Sequence, residues 1–77
     1  MGHIEIRPGK YRHFKGDIME VIGKALHSET QEEMVVYRHI TGERAGELYY
    51  WVRPASMFME SIERDGKIIP RFEYIEQ

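Results

Sequence analysis

Five short runs carry the side chains of this chain that can do chemistry: Tyr11-Arg12-His13-Phe14-Lys15-Gly16, His27-Ser28-Glu29-Thr30, Val36-Tyr37-Arg38, Trp51-Val52-Arg53-Pro54 and Arg71-Phe72. All but the polar His27 run set an Arg or His close to an aromatic ring. A guanidinium fork binds oxyanions, and an aromatic face stacks on planar groups. The pairing is therefore what a cleft needs to grip an anionic or planar ligand. The candidate ligand-binding set is Arg12, Arg38 and Arg53 for the anion, and Trp51, Tyr37 and Phe58 for an apolar wall. His13, His27 and Glu29 complete it as a polar rim.

Each of these residues also has a purely structural reading. The arginines can lay their stems over exposed core and pair with the chain's own carboxylates. The aromatics can simply be the core, since they supply most of the burial a small domain has. On the strand from Leu48, the alternation Leu48, Tyr50, Val52 looks like core, which leaves Trp51 and Arg53 together on the other side as one wall of a cleft. If the strands from Met34 and Leu48 pair as a hairpin, several arginines converge, and converging arginines need an anion or carboxylates such as Glu29 and Glu60 between them.

Catalysis and metal binding are weaker readings. His27, Ser28 and Glu29 do not make a hydrolytic triad, because adjacent strand residues point to opposite faces. Ser28 and Thr30 suit turn hydrogen bonds better. An enzyme using His27 and Glu29 as acid and base stays as an alternative. His3, His13, His27 and His39 follow no zinc or iron spacing, so no metal and no cofactor are expected.

The 77 residues make one domain, and a chain this short buries only about 60–65% of its unfolded surface. There is no cysteine, so neither a disulfide nor a thiolate cluster reinforces that thin core. Eleven Lys and Arg against 13 Asp and Glu give a formal net charge of −2. That balance disfavours nucleic-acid binding by the whole domain, although Arg7, Lys10, Arg12 and Lys15 cluster early, so a nucleic-acid-associated barrel is the alternative binding function. No apolar run approaches a membrane span, and the first residues lack the layout of a secretory signal. The expectation is a cytoplasmic protein that does not meet a membrane.

The elements that must position these residues are short. Pro8-Gly9 punctuates an N-terminal arm of residues 1–8, and residues 9–77 form the domain. Tyr11 to Phe14 reads as a strand. Residues 18–27 fit both a helical stripe and a period-two strand, with Gly23 costing a helix about 1 kcal/mol. Met34 to Ile40 and Leu48 to Arg53 are rich in β-branched and aromatic residues and read as strands. Pro54 to Met57 reads as one helical turn, Phe58 to Glu63 as a strand, and Asp65-Gly66 as the hairpin turn into Lys67 to Ile69. Pro70 makes the last segment an edge strand or an irregular arm, packed down by Phe72, Tyr74 and Ile75. The sum is a mostly β fold: a small SH3-like antiparallel barrel of five or six short strands with one short helical turn. Its free edges are places where a second copy can pair to make a homodimer.

Gly9 to Gly16, His27 to Thr30, Val36 to Arg38, Trp51 to Pro54 with Met57-Phe58, and Pro70 to Phe72 stand in one order along the chain. In that order they resemble domain-of-unknown-function family 1653, small bacterial proteins or modules. The resemblance covers about residues 9–75 and implies no particular activity. It implies a strand at 18–27, because the matching segment alternates at period two. The loop Glu43 to Glu47 is longer than the resemblance leads one to expect. The combined reading is a non-catalytic binding module for a small anionic molecule or an acidic partner segment.

Overall fold

The structure, a computed structural model, describes residues 5–77. It holds seven strands and one short helix: β1 (Gly9–His13), β2 (Ile18–Leu26), β3 (Glu33–His39), β4 (Trp51–Pro54), α1 (Ala55–Phe58), β5 (Ser61–Arg64), β6 (Lys67–Pro70) and β7 (Phe72–Glu76). The 18–27 segment is thus a strand, and there are seven strands where five or six were expected. The helical turn begins one residue later than expected, because Pro54 keeps extended geometry (ψ 134°) and caps the helix as the last residue of β4.

Antiparallel pairing builds a five-stranded sheet in the order β4-β3-β2-β1-β7, with β5 and β6 as a separate hairpin. Asp65 and Gly66 both take positive φ (54° and 79°), the left-handed pair that a two-residue hairpin turn requires. The barrel expectation needs correction: β4 and β7 are the two ends of the sheet and do not pair, so the sheet stays open. β4 is also short, only the four residues Trp51–Pro54, and it offers few backbone groups for a further pairing.

Leu48, Tyr49 and Tyr50 do not extend β4 despite their β propensity. The end of β3 turns toward β2 instead, where the Ile40 and Thr41 amides donate to the Ile18 carbonyl at 2.9 and 3.2 Å. The segment 48–50 therefore lacks a strand neighbour. Leu48 is 95% exposed, against the expectation that it faces the core with Tyr50 and Val52. Register supplies the reason. Tyr37 stands across from Trp51 and Val35 across from Arg53, so Trp51 and Arg53 share the inner face with two core residues. Val52, across from Val36, is turned outward.

The core is one layer of side chains on that inner face: Tyr11, Met19, Val21, Val35, Tyr37 and Phe72, with Ala55 and Phe58 of α1 laid over them. The Phe58 ring stacks parallel on Phe72 at 4.4 Å and meets the Tyr11 ring at 5.1 Å, nearly at right angles. Residues just before β1 join in. Ile6 packs on the core, Arg7 lies over the Tyr74 ring at 4.1 Å, and the Tyr11 hydroxyl donates to the Arg7 carbonyl at 2.9 Å. Burial pushes the Tyr11 hydroxyl's pKa up, with that hydrogen bond working in the opposite direction.

Candidate anion-binding pocket

The helix α1 is only four residues long and covers part of the inner face. Beside it lies a pocket of about 190 Å³ lined by His13, Lys15, Asp17, Met19, Tyr37, His39, Arg53 and Phe72. Strand alternation and register bring these residues together. His13 faces Phe72 across β1 and β7, Met19 faces His39 across β2 and β3, and Tyr37 faces Trp51 across β3 and β4. Lys15 and Asp17 reach in from the β1–β2 turn, closed by the His13 amide donating to the Asp17 carbonyl at 2.7 Å.

Arg53 is half-buried, and its guanidinium lies 5.2 Å from the centre of the Phe72 ring. Among the described residues no carboxylate stands within ion-pair reach of it. Other arginines are occupied: Arg38 pairs with Glu20 at 2.7 Å, Arg71 with Glu60 at 3.5 Å, and Arg64 donates to the Phe14 carbonyl at 2.9 Å. Arg44 sits over the Trp51 ring at 4.4 Å and pairs with Glu47, which also accepts from the Trp51 indole.

The His13 ring lies edge-on to Phe72 at 5.1 Å, and its Nδ1 accepts the Lys15 amide at 3.1 Å. In the neutral ring the proton therefore sits on Nε2, which is left as a donor. Burial holds the His13 pKa below its ordinary value, and Arg53, Lys15 and Arg71 add to that; only Asp17 opposes them. His39 completes the wall, its ring between Tyr37 (5.6 Å) and Trp51 (5.5 Å).

Of the nine residues expected at the site, His13, Tyr37 and Arg53 line this pocket, with Trp51 behind His39. The other five lie elsewhere. Arg38 and Arg53 do not converge, because β3–β4 register turns them to opposite faces. Arg38 belongs to an outer-face charge ladder in which Lys10 stands across from Glu20 and Glu76, and Glu20 across from Arg38. Arg12 is on that outer face too, across from Glu73. Phe58 is core, 1% exposed. His27 caps the far end of the β2–β3 hairpin, where its Nδ1 accepts the Glu29 and Thr30 amides at 3.2 and 3.3 Å. His27 is eight residues along the chain from Met19, roughly 25 Å at ~3.3 Å per residue. Glu29 shares the tip and is exposed, so the pair His27 and Glu29 does not reach the pocket.

The early basic cluster divides: Lys10 and Arg12 share the outer face of β1, across from Glu20, Glu76 and Glu73, while Arg7 lies over Tyr74 and Lys15 lines the pocket. Among the described residues no three His, Asp or Glu side chains form a metal-holding group, and His3 lies outside those residues. Sequence reasoning missed Lys15, Asp17, Met19, His39 and Phe72 as site residues. Lys15 and Phe72 stand within the Arg- and His-bearing runs, and period two from Tyr37 would have found His39, as period two from His13 would have found Lys15.

The geometry defines a class of protein: a small open antiparallel sheet with a cationic, ring-lined pocket on its half-covered face. A family model described as "Protein of unknown function (DUF1653)" matches residues 9–74, and the chain belongs to that family. A crystal structure of a protein belonging to DUF1653 from Bordetella bronchiseptica is 38% identical, with a TM-score of 0.82 over 94% of this chain and 90% of that one. No curated protein matches the sequence. Four of the five runs that carry the family likeness converge here: His13 and Lys15 from the first, Tyr37 from the third, Arg53 from the fourth and Phe72 from the last.

Proposed function

We propose that this domain is a non-catalytic cytosolic binding module that takes an anionic group, on a small molecule or an acidic partner segment, into the Arg53 pocket. The observation that carries this reading is the state of Arg53. It is a half-buried guanidinium on the inner face with no carboxylate partner among the described residues, beside Lys15 and a neutral histidine. An unpaired buried cation costs stability, and an anion from outside removes that cost. Tyr37, Met19 and Phe72 supply apolar contact for the rest of the ligand.

A backbone-amide NMR titration with small anions at constant ionic strength tests the reading. Shifts at His13, Lys15, His39 and Arg53 are expected, and Arg53→Met, which keeps the apolar stem over Phe72, abolishes them with little change in melting temperature. Shifts confined to the outer-face ladder around Lys10 and Arg38 refute it.

A further inference from the structure

The donors around the pocket say more about the anion than its sign. Arg53 comes from β4, His13 from β1, His39 from β3 and Lys15 from the β1–β2 turn. Arg53, His13 and His39 thus line one space of about 190 Å³ from three strands, and Lys15, its ammonium 5.8 Å from the centre of the Phe14 ring, is on the same lining. A carboxylate is planar and is satisfied by a single guanidinium fork. A phosphoryl group presents three strong acceptor oxygens in different directions and carries close to two negative charges at pH 7.

We propose, building on the anion-pocket reading, that the ligand is a phosphate monoester, its phosphoryl oxygens held by Arg53, Lys15 and the Nε2–H of His13, and its ester group against Tyr37 and Phe72. The fixed charges alone fall one short of a phosphoryl dianion. Two fixed cations, Arg53 and Lys15, face one carboxylate, Asp17, at the pocket. A monoanion is matched by that excess, whereas a dianion exceeds it and draws a further proton onto the site. His13 is placed to take that proton. The groups facing it are Arg53, Lys15, Arg71 and Asp17, with His39 and Tyr37 on the same lining and Phe14 and Phe72 as ring neighbours. Burial is the main cause that keeps the ring neutral, and a bound dianion offsets the smaller contribution of Arg53, Lys15 and Arg71.

The test compares phenyl phosphate, inorganic phosphate, benzoate and a capped hexaglutamate by amide NMR at pH 7 and fixed ionic strength. Phenyl phosphate is expected to shift His13, His39 and Arg53 and to bind on the order of tenfold more tightly than benzoate, since it makes more charge-assisted hydrogen bonds. Calorimetry in two buffers of different ionisation enthalpy is expected to show net proton uptake with phenyl phosphate. His13→Gln, which keeps a donor but cannot titrate, is expected to abolish that uptake and to weaken phenyl phosphate more than benzoate. Benzoate matching phenyl phosphate, or hexaglutamate binding more tightly, overturns the phosphate assignment and leaves the anion pocket standing. Absence of proton uptake in the wild-type protein overturns the His13 role without reference to any variant. No shift in the pocket with any of the four probes overturns both the assignment and the pocket reading beneath it.

Discussion

Phe58→Ala is the perturbation that separates core from site most sharply. Phe58 is 1% exposed, stacked flat on Phe72 and set edge-on against Tyr11. Truncating a buried Phe removes its transfer free energy and leaves a cavity, about 3–5 kcal/mol together. A 77-residue domain has about 4–12 kcal/mol of stability in all, at roughly 0.05–0.15 kcal/mol per residue. The variant is therefore expected to lose a quarter or more of its stability and, toward the lower end of that range, to be partly unfolded at 25 °C. The single tryptophan, Trp51, packs against the core and reports unfolding by its fluorescence in urea. The midpoint should fall while the slope with denaturant stays constant, as for a loss of packing without a change in surface exposed. A double-mutant cycle with Phe72→Leu should return a coupling of about 0.5–1.5 kcal/mol for the stacked pair. A Phe58→Ala loss below about 1 kcal/mol would refute the placement of α1 over the sheet, and with it the boundary between the covered and open halves of the inner face.

Two further outcomes concern the histidines. The lowered pKa of His13 means the unfolded chain binds the proton more readily, so stability should fall as pH drops through 6.5 toward the folded-state value and be fully present above it. Melting temperatures of wild type and His13→Gln between pH 7.5 and 5 check this, and parallel curves would exclude His13 as the group responsible. His27→Ala removes the acceptor for two turn amides and should cost on the order of 1 kcal/mol, as loss of a cap does, while leaving anion-induced shifts at Arg53 unchanged. Altered shifts would tie the hairpin tip to the pocket.

The parts of the fold legible in the sequence were those set by local chemistry. Asp65-Gly66 marked its hairpin because only residues tolerant of positive φ fit that turn. Pro54 marked the junction of strand and helix because its ring fixes φ and removes a donor. Facing was not legible. Leu48, Tyr50 and Val52 looked like core by type, yet the inner face holds Trp51 and Arg53, because register with Tyr37 and Val35 is decided across strands. The same limit dispersed the arginines. Arg38 and Arg53 each end an aromatic strand, and one strand's parity sends Arg38 to Glu20 and the other's sends Arg53 inward. His27 looked like a rim residue, and its ring nitrogen turns out to serve two amides of its own turn.

Stability and binding meet in one ring. Phe72 takes Phe58 flat against it, receives the edge of His13, and lies under the Arg53 guanidinium. A domain this small buries its sheet with a single helical turn, and the turn is too short to cover the whole inner face. The open part is not filled with more apolar side chains but with a guanidinium, a lysine and two histidines. Each would cost less in full solvent on the outer face, where Arg38 and Lys10 find carboxylates in register. Placing Arg53 inward next to the core instead gives up such a partner and leaves a guanidinium held in position by an aromatic ring. That exchange is unfavourable for the isolated domain, and the proposed anion is what would offset it.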